Sequence, residues 1–278
     1  MIEKPMRLGL ALAGGGAKGA FQLSVLKALK AQGILDMVEV YAGASVGALN
    51  AVMTASDRLD YAEEVWLSMD KDLFNMSPKE LFERLKEFDF HGVKMGIYPT
   101  EQLENMIDEA LDVLDLSHHD VYVATTCMGS DKVTLWEALQ HNFKQLVKGE
   151  LPIEYPNLRD ADRQTVKNNL LASTAIPIFF KPVYFNAKTY VDGGVYGNTP
   201  LQPLIDAKCT HIIAIDLFKV NLRRRKTVKD IPVFTFHPEH SLGRILDFDR
   251  EKIQKRIVQG EEVAQKHMGE LIKMLATR

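Results

Sequence analysis

The sequence predicts an α/β protein, a three-layer α/β/α arrangement with a mostly parallel central sheet. The order of elements carries most of that expectation. Arg7–Ala13 is a short apolar run ending in glycines, after which Ala20, Phe21, Leu23, Val25, Leu26 and Leu29 recur at helical spacing. Val38–Ala42 is a second short run, followed by the small-residue helix Ala48–Ala55. Strands that alternate with helices pair in parallel through crossover connections. Size carries the rest: 278 residues, 46% hydrophobic, with no repeat or low-complexity linker, are read most simply as one domain over 1–278.

Further along, Gly33 closes the first helix as a left-handed cap. Ala62–Met69 and Lys79–Glu87 read as helices. Thr100 is placed to cap a helix reaching about Asp112, with Glu101 in its first turn. Val121–Cys127 and Lys132–Glu137 read as strands joined by the turn Met128–Asp131, and Val183–Asn186 with Thr189–Val191 as a second hairpin. Asp160–Ala172 is helical, His211–Asp216 and Val233–His237 are late strands, and Phe248–Leu275 is a long helix.

Composition excludes several classes. A net charge of −3 gives no field for holding nucleic acid. Cys127 and Cys209 are far apart and make neither a disulfide framework nor a zinc site. No His/Asp/Glu cluster has ligand spacing, so neither metal nor cofactor is expected. Lys4 and Arg7 precede an apolar run shorter than a signal-peptide core, and no run approaches the roughly 20 residues that cross a bilayer. The expected location is cytoplasmic.

Two glycine-rich turns carry chemistry. Gly14-Gly15-Gly16-Ala17-Lys18-Gly19 lies between a strand and a helix, the context of a dinucleotide loop. Glu39 stands near the offset of a ribose-binding acid but falls inside its strand, and Lys18 occupies a position where such loops take a small residue. The other reading is an oxyanion hole, in which backbone N–H groups converge without side chains at a helix N-terminus. One such donor is worth about 3–4 kcal/mol in the transition state. Gly43-Ala44-Ser45-Val46-Gly47 is G-x-S-x-G between strand and helix, the setting of a nucleophile elbow.

A serine nucleophile needs a base. Among eight histidines, only His237 and His240 come after a late strand as a triad histidine would. More conspicuous is Tyr190-Val191-Asp192-Gly193-Gly194, a carboxylate at the end of a short strand with two glycines after it.

Taken together, G-G-G-x-K-G, G-x-S-x-G and D-G-G in this order resemble the patatin-like phospholipases. Ala172–Pro177, running on to Phe179, Phe180 and Pro182, resembles the block before that family's aspartate. Asp192–Pro200, with Asn198, resembles the family's stretch just after it. Gly96–Leu103 is similar to a segment near the family's substrate groove. The resemblance covers roughly residues 7–217. It implies a Ser–Asp dyad without histidine: Ser45 as nucleophile, Asp192 as base, and Gly14, Gly15, Gly16, Ala17, Lys18 and Gly19 as the oxyanion loop. Gly43 and Gly47 would form the elbow, and Gly193 and Gly194 the turn after the base. The last sixty residues match nothing in the family, and no acidic residue directly precedes Gly14 as in some members.

The implied partner is a lipid acyl ester, with no nucleic acid and no nucleotide cofactor. An acyltransferase or thioesterase using the same serine, and a non-catalytic lipid-binding protein, are the alternatives. Peripheral membrane contact has two candidate segments, the basic run Asn221–Lys226 and the apolar stripe of the last helix. A solvated loop and core packing are their simpler readings. Leu81–Tyr98 is a candidate border of the acyl groove.

Overall fold

The computed structural model of the chain describes residues 5–69, 100–129, 153–177, 179–195, 199–219 and 227–276. The Lys79–Glu87 helix, the Lys132–Glu137 strand, the basic run 221–226, Asn198 and the whole of 81–98 lie outside them.

Apolar residues throughout Leu8–Leu12 make a strand, β1, buried on both faces, as a central parallel strand requires. A tight 3-10 turn, Gly16–Gly19, leads into helix α1 (Ala20–Ala31), and Gly33 at φ +67° turns the chain away from it. Strand β2 (Val38–Ala44) runs into α2 (Val46–Ala55), and α3 (Leu59–Ser68) and α4 (Glu101–Leu111) come after it. Thr100 precedes α4, but its side chain makes no cap hydrogen bond. Strands β3 (Asp120–Cys127) and β4 (Ile153–Glu154) are next. Helix α5 (Arg163–Thr174) starts later than the sequence suggests, because the Asp162 carboxylate accepts the Thr165 N–H at 2.9 Å and fixes its first turn. The hairpin β5 (Val183–Phe185) and β6 (Lys188–Asp192) forms as expected, with its first strand one residue shorter and its second one residue longer at each end. A short helix α6 (Gln202–Asp206), strands β7 (His211–Ile215), β8 (Thr227–Val228) and β9 (Ile231–Phe236), and the 27-residue helix α7 (Arg250–Ala276) complete the chain.

The sheet is mostly parallel: β3, β2, β1, β7 and β9 are successive parallel neighbours, with β4, β5, β6 and β8 added antiparallel. Alternation along the strands fills two unequal cores. Leu8, Leu10 and Leu12 join Phe21, Leu26, Leu170 and Ile253 under the main helical layer. Ala11, Val40, Ala42 and Ile212 face the other side, where α6 supplies Leu204. No helix among the described residues is long and apolar enough to cross a membrane.

One feature of the register positions the site. Residues 120–124 of β3 pair with β2, ending at Ala44↔Ala124. Residues 125–127 pair with β6, beginning at Thr125↔Asp192. The opposite edge of β3 is occupied by residues 153–158, through Thr125↔Glu154, Tyr122↔Asn157 and the bonds Val123 N–H to Pro156 O and Leu158 N–H to Val121 O. Strands β2 and β6 therefore lie end to end along one edge of β3. The first runs up to it and the second runs down, and they stop one residue apart.

Helix α7 lies across α1 at close range. A Cβ on Gly260 would sit 2.1 Å from Ser24 Oγ and 2.4 Å from Phe21 O. Ser24 Oγ donates to Ile257 O at 2.7 Å across the same contact. Gly260→Ala should gain helix propensity yet destabilise the protein by about 1–3 kcal/mol, since overpacking forces the backbones apart. Urea denaturation measures this, and a gain in stability would contradict the described contact.

Candidate active site

The serine turn is built by close approach. A Cβ on Gly43 would lie 2.3 Å from Gly47 O, and one on Gly47 would lie 2.3 Å from Leu12 O. Only glycine lets β2 turn this sharply into α2 while α2 touches the end of β1. Ser45 itself stands at φ 54°, ψ −128°, a strained conformation for a residue with a side chain. Its amide donates to Ser173 Oγ at 2.9 Å, and that hydroxyl donates to Ala124 O at 2.7 Å. Ser173, from the end of α5, thus fills the joint where β2 stops along β3.

The end-to-end strands bring Ser45 and Asp192 together across 147 positions of sequence. Ser45 Oγ donates to Asp192 Oδ2 at 2.6 Å. The hydroxyl hydrogen goes to this carboxylate and not to a histidine. Asp192 Oδ1 accepts the Gly194 N–H at 2.5 Å, and the Asp192 amide donates to Ala175 O at 3.0 Å. The aspartate is 2% exposed. Burial pushes its pKa up to about 7, against the downward pull of the Ser45 hydroxyl and the Gly194 amide.

The glycine loop closes the third side. A Cβ on Gly194 would meet Ser45 Cβ at 3.3 Å and Gly14 Cα at 3.6 Å, so the three backbones converge. The sequence points to the whole span Gly14–Gly19 as the donor loop, and the structure divides it. The Ala17 N–H donates to Ile245 O at 2.7 Å and the Lys18 N–H to Gly15 O at 3.2 Å. Among the described residues no protein acceptor engages the N–H of Gly14, Gly15 or Gly16. Gly16, at φ +54°, lines the same cavity as Ser45. Lys18 is buried with its ammonium 3.9 Å from the Phe218 ring centre, and burial lowers its pKa. Glu39, the acid a dinucleotide loop would need, is exposed within β2 and pairs with Arg7 at 3.5 Å.

Among known proteins, the family model described as patatin-like phospholipase matches residues 10–205. The chain belongs to the patatin-like phospholipase family. A relative named "Probable lipid hydrolase 463L", from Invertebrate iridescent virus 6, is 22% identical over 203 residues, covering 69% of this chain and 61% of that protein. Among solved structures, human GIVD cytosolic phospholipase A2 aligns with a TM-score of 0.54 at 11% identity, over 98% of this chain and 62% of that one. VipD from Legionella pneumophila aligns with a TM-score of 0.50 at 12% identity, over 96% of this chain and 67% of that one. At such identities the two structures show a shared fold. The chain spans about three fifths of the viral and human proteins.

In this patatin-like chain the family match stops well short of groups that touch the loop. Arg256 on α7 is 2% exposed and donates to four carbonyls: Leu242 at 2.8 Å, Asp247 at 2.7 Å, Ala17 at 3.2 Å and Arg244 at 3.4 Å. It ties the segment 242–247 to the back of the loop, where Ile245 O receives the Ala17 amide. Neither Arg256 nor Ser173 is marked as part of the site by the sequence, although Ser173 stands inside the block that resembles the family.

Beside Ser45 lies an almost wholly apolar cavity of about 110 Å³, walled by Val46, Leu49 and Met53 of α2, Trp66 of α3, Ile107 of α4 and Phe180. Apolar side chains of α2, α3 and α4 thus meet in a slot next to the serine. Among the described residues no group of three or more His, Cys, Asp or Glu could hold a metal ion. The arrangement offers a hydroxyl hydrogen-bonded to a buried carboxylate, unengaged amides nearby, and an apolar recess.

Proposed function

We propose that the chain hydrolyses lipid acyl esters, with Ser45 as nucleophile and Asp192 as its base. The observation that carries this reading is the 2.6 Å hydrogen bond from Ser45 to Asp192 on the wall of an apolar cavity. Ser45 Oγ attacks the ester carbonyl as its proton passes to Asp192 Oδ2. A carboxylate held near pKa 7 is a far better base than an ordinary aspartate, and at neutral pH a large share of it is still ionised. The carbonyl oxygen becomes an oxyanion, for which the Gly14, Gly15 and Gly16 amides are the proposed donors. The tetrahedral intermediate then expels the alcohol, which takes the proton from Asp192 and leaves an acyl-enzyme. Water, deprotonated by Asp192, attacks that ester, and its collapse returns the proton to Ser45 and releases the fatty acid.

The apolar slot suits an acyl chain, since each buried methylene contributes about 0.8 kcal/mol. The family relationship supports a glycerolipid ester as the substrate class. We place the encounter at a cytoplasmic lipid surface that the protein touches peripherally. Fatty acid release from phospholipid, lysophospholipid, triacylglycerol and acyl-thioester tests the reading. Turnover of one or more oxygen esters, absent in Ser45→Ala, is expected. Turnover of the thioester alone would favour the thioesterase or transferase alternative.

A further inference from the structure

We infer that Gln22, Asn50 and Trp66 are positioning residues that aim the Gly14 amide at the oxyanion. This inference rests on the reading of Ser45 as nucleophile. All three side chains are at most 4% exposed, and Gln22 is fully buried. They form one hydrogen-bonded chain. Trp66 Nε1 donates to Asn50 Oδ1 at 3.2 Å, and Asn50 Nδ2 donates to Gln22 Oε1 at 2.8 Å and to Gly19 O at 3.1 Å. Gln22 Nε2 in turn donates to Ala13 O at 2.8 Å and to Ile215 O at 3.3 Å.

Both ends of this chain fix its polarity. An indole N–H can only donate, so Asn50 Oδ1 must accept and Asn50 Nδ2 must face Gln22. Backbone carbonyls can only accept, so Gln22 Nε2 must face Ala13 and Ile215. No member can flip without leaving a buried donor facing a donor, which costs about 1–3 kcal/mol per group.

The consequence falls on one peptide plane. Ala13 O is held by Gln22, and in a trans peptide the N–H of the next residue points the opposite way. The Gly14 N–H therefore faces away from Gln22, and Gly14 itself stands close to Gly194, which is in turn close to Ser45. The Ala13 amide, in the preceding peptide, donates to Ile215 O at 3.1 Å, so the peptide planes on both sides of Ala13 Cα are each anchored by one hydrogen bond. Ser24, the other buried polar residue of this stretch of α1, answers to Ile257 O on α7, whereas Gln22 answers to Ala13 O and Ile215 O beside the loop.

The test measures kcat and KM for wild type, Gln22→Met and Trp66→Phe on p-nitrophenyl acetate and p-nitrophenyl octanoate. For Gln22→Met, kcat should fall about 10–100-fold, a fraction of what losing an oxyanion donor outright does. KM should stay within about twofold, and the factor should be the same for both esters. Inhibition by a short alkyl trifluoromethyl ketone, whose serine adduct carries an oxyanion, should weaken by that same factor. Trp66→Phe keeps an aromatic side chain and removes one donor; because Trp66 also walls the cavity, its effect is read on the acetate ester, where it supplies the same test in milder form should Gln22→Met not fold. An unchanged kcat in the folded variants, or a loss confined to octanoate, would overturn the inference and leave only cavity packing. Failure of the Ser45 reading would look different: wild type inactive on both esters, or Ser45→Ala as active as wild type.

Discussion

Ser45→Ala and Asp192→Asn are each expected to lower kcat/KM for ester hydrolysis by about 10⁴–10⁶-fold, with the fold retained. The size comes from the cooperation of nucleophile and base, whose single losses approach the loss of the pair. The two variants should therefore be about as inactive as the double variant, not additively worse. Asparagine can accept the Ser45 hydroxyl hydrogen bond but cannot take its proton, which separates placement of the serine from activation of it. A fluorophosphonate should label wild type rapidly and Ser45→Ala not at all. Labelling that persists in Ser45→Ala, or activity in Asp192→Asn within tenfold of wild type, would remove the dyad.

The second large effect concerns stability and pH. Asp192 is held near pKa 7 in the folded chain against an ordinary value of 3.8. Below pH 4 both folded and unfolded states carry the proton, and the buried group imposes no penalty. Between pH 4 and 7 the unfolded state ionises first, so stability is lost as pH rises. Above pH 7 the full penalty applies, up to about 4 kcal/mol at 1.36 kcal/mol per pKa unit. Asp192→Asn removes this titration. Its stability relative to wild type should grow between pH 4 and 7 and then level off, as urea denaturation at pH 5 and pH 8 would measure. The activity of wild type should move oppositely, rising through pH 7 as the base ionises. A stability difference independent of pH would mean that the carboxylate is not held in its protonated form by burial.

How much of this can be read from sequence depends on whether a residue's job is local. The serine turn is legible because Gly43 answers to Gly47 and Ala48 within the strand–turn–helix unit, and because strand, turn and helix come in order; that Gly47 answers to Leu12 at the end of β1 is not. The glycine loop is legible as a loop, but which of its amides are engaged is not. That depends on Ile245, which arrives from the far end of the chain. Asp192 stands out through resemblance to a family. The physical reason it reaches Ser45, two strands abutting along β3, is a matter of register that no local pattern encodes. Gln22 carries only a faint signal, a polar residue inside an apolar helix face. Arg256 carries none: an arginine among the many charges of α7 looks like any solvated residue. The caps behave likewise, with Asp162 fixing the start of α5 and Thr100 making no side-chain cap at all.

The bond between Arg256 and the glycine loop bears on where this chain can be cut. A fragment trimmed to residues 10–205 would retain Ser45, Asp192 and every loop glycine. It would lose the Ile215 carbonyl that anchors Ala13, the Ile245 carbonyl that holds Ala17, and the guanidinium behind them. The working unit is thus wider than the stretch by which its kinship is recognised, and any shortened or chimeric version has to carry its own rear support for the loop.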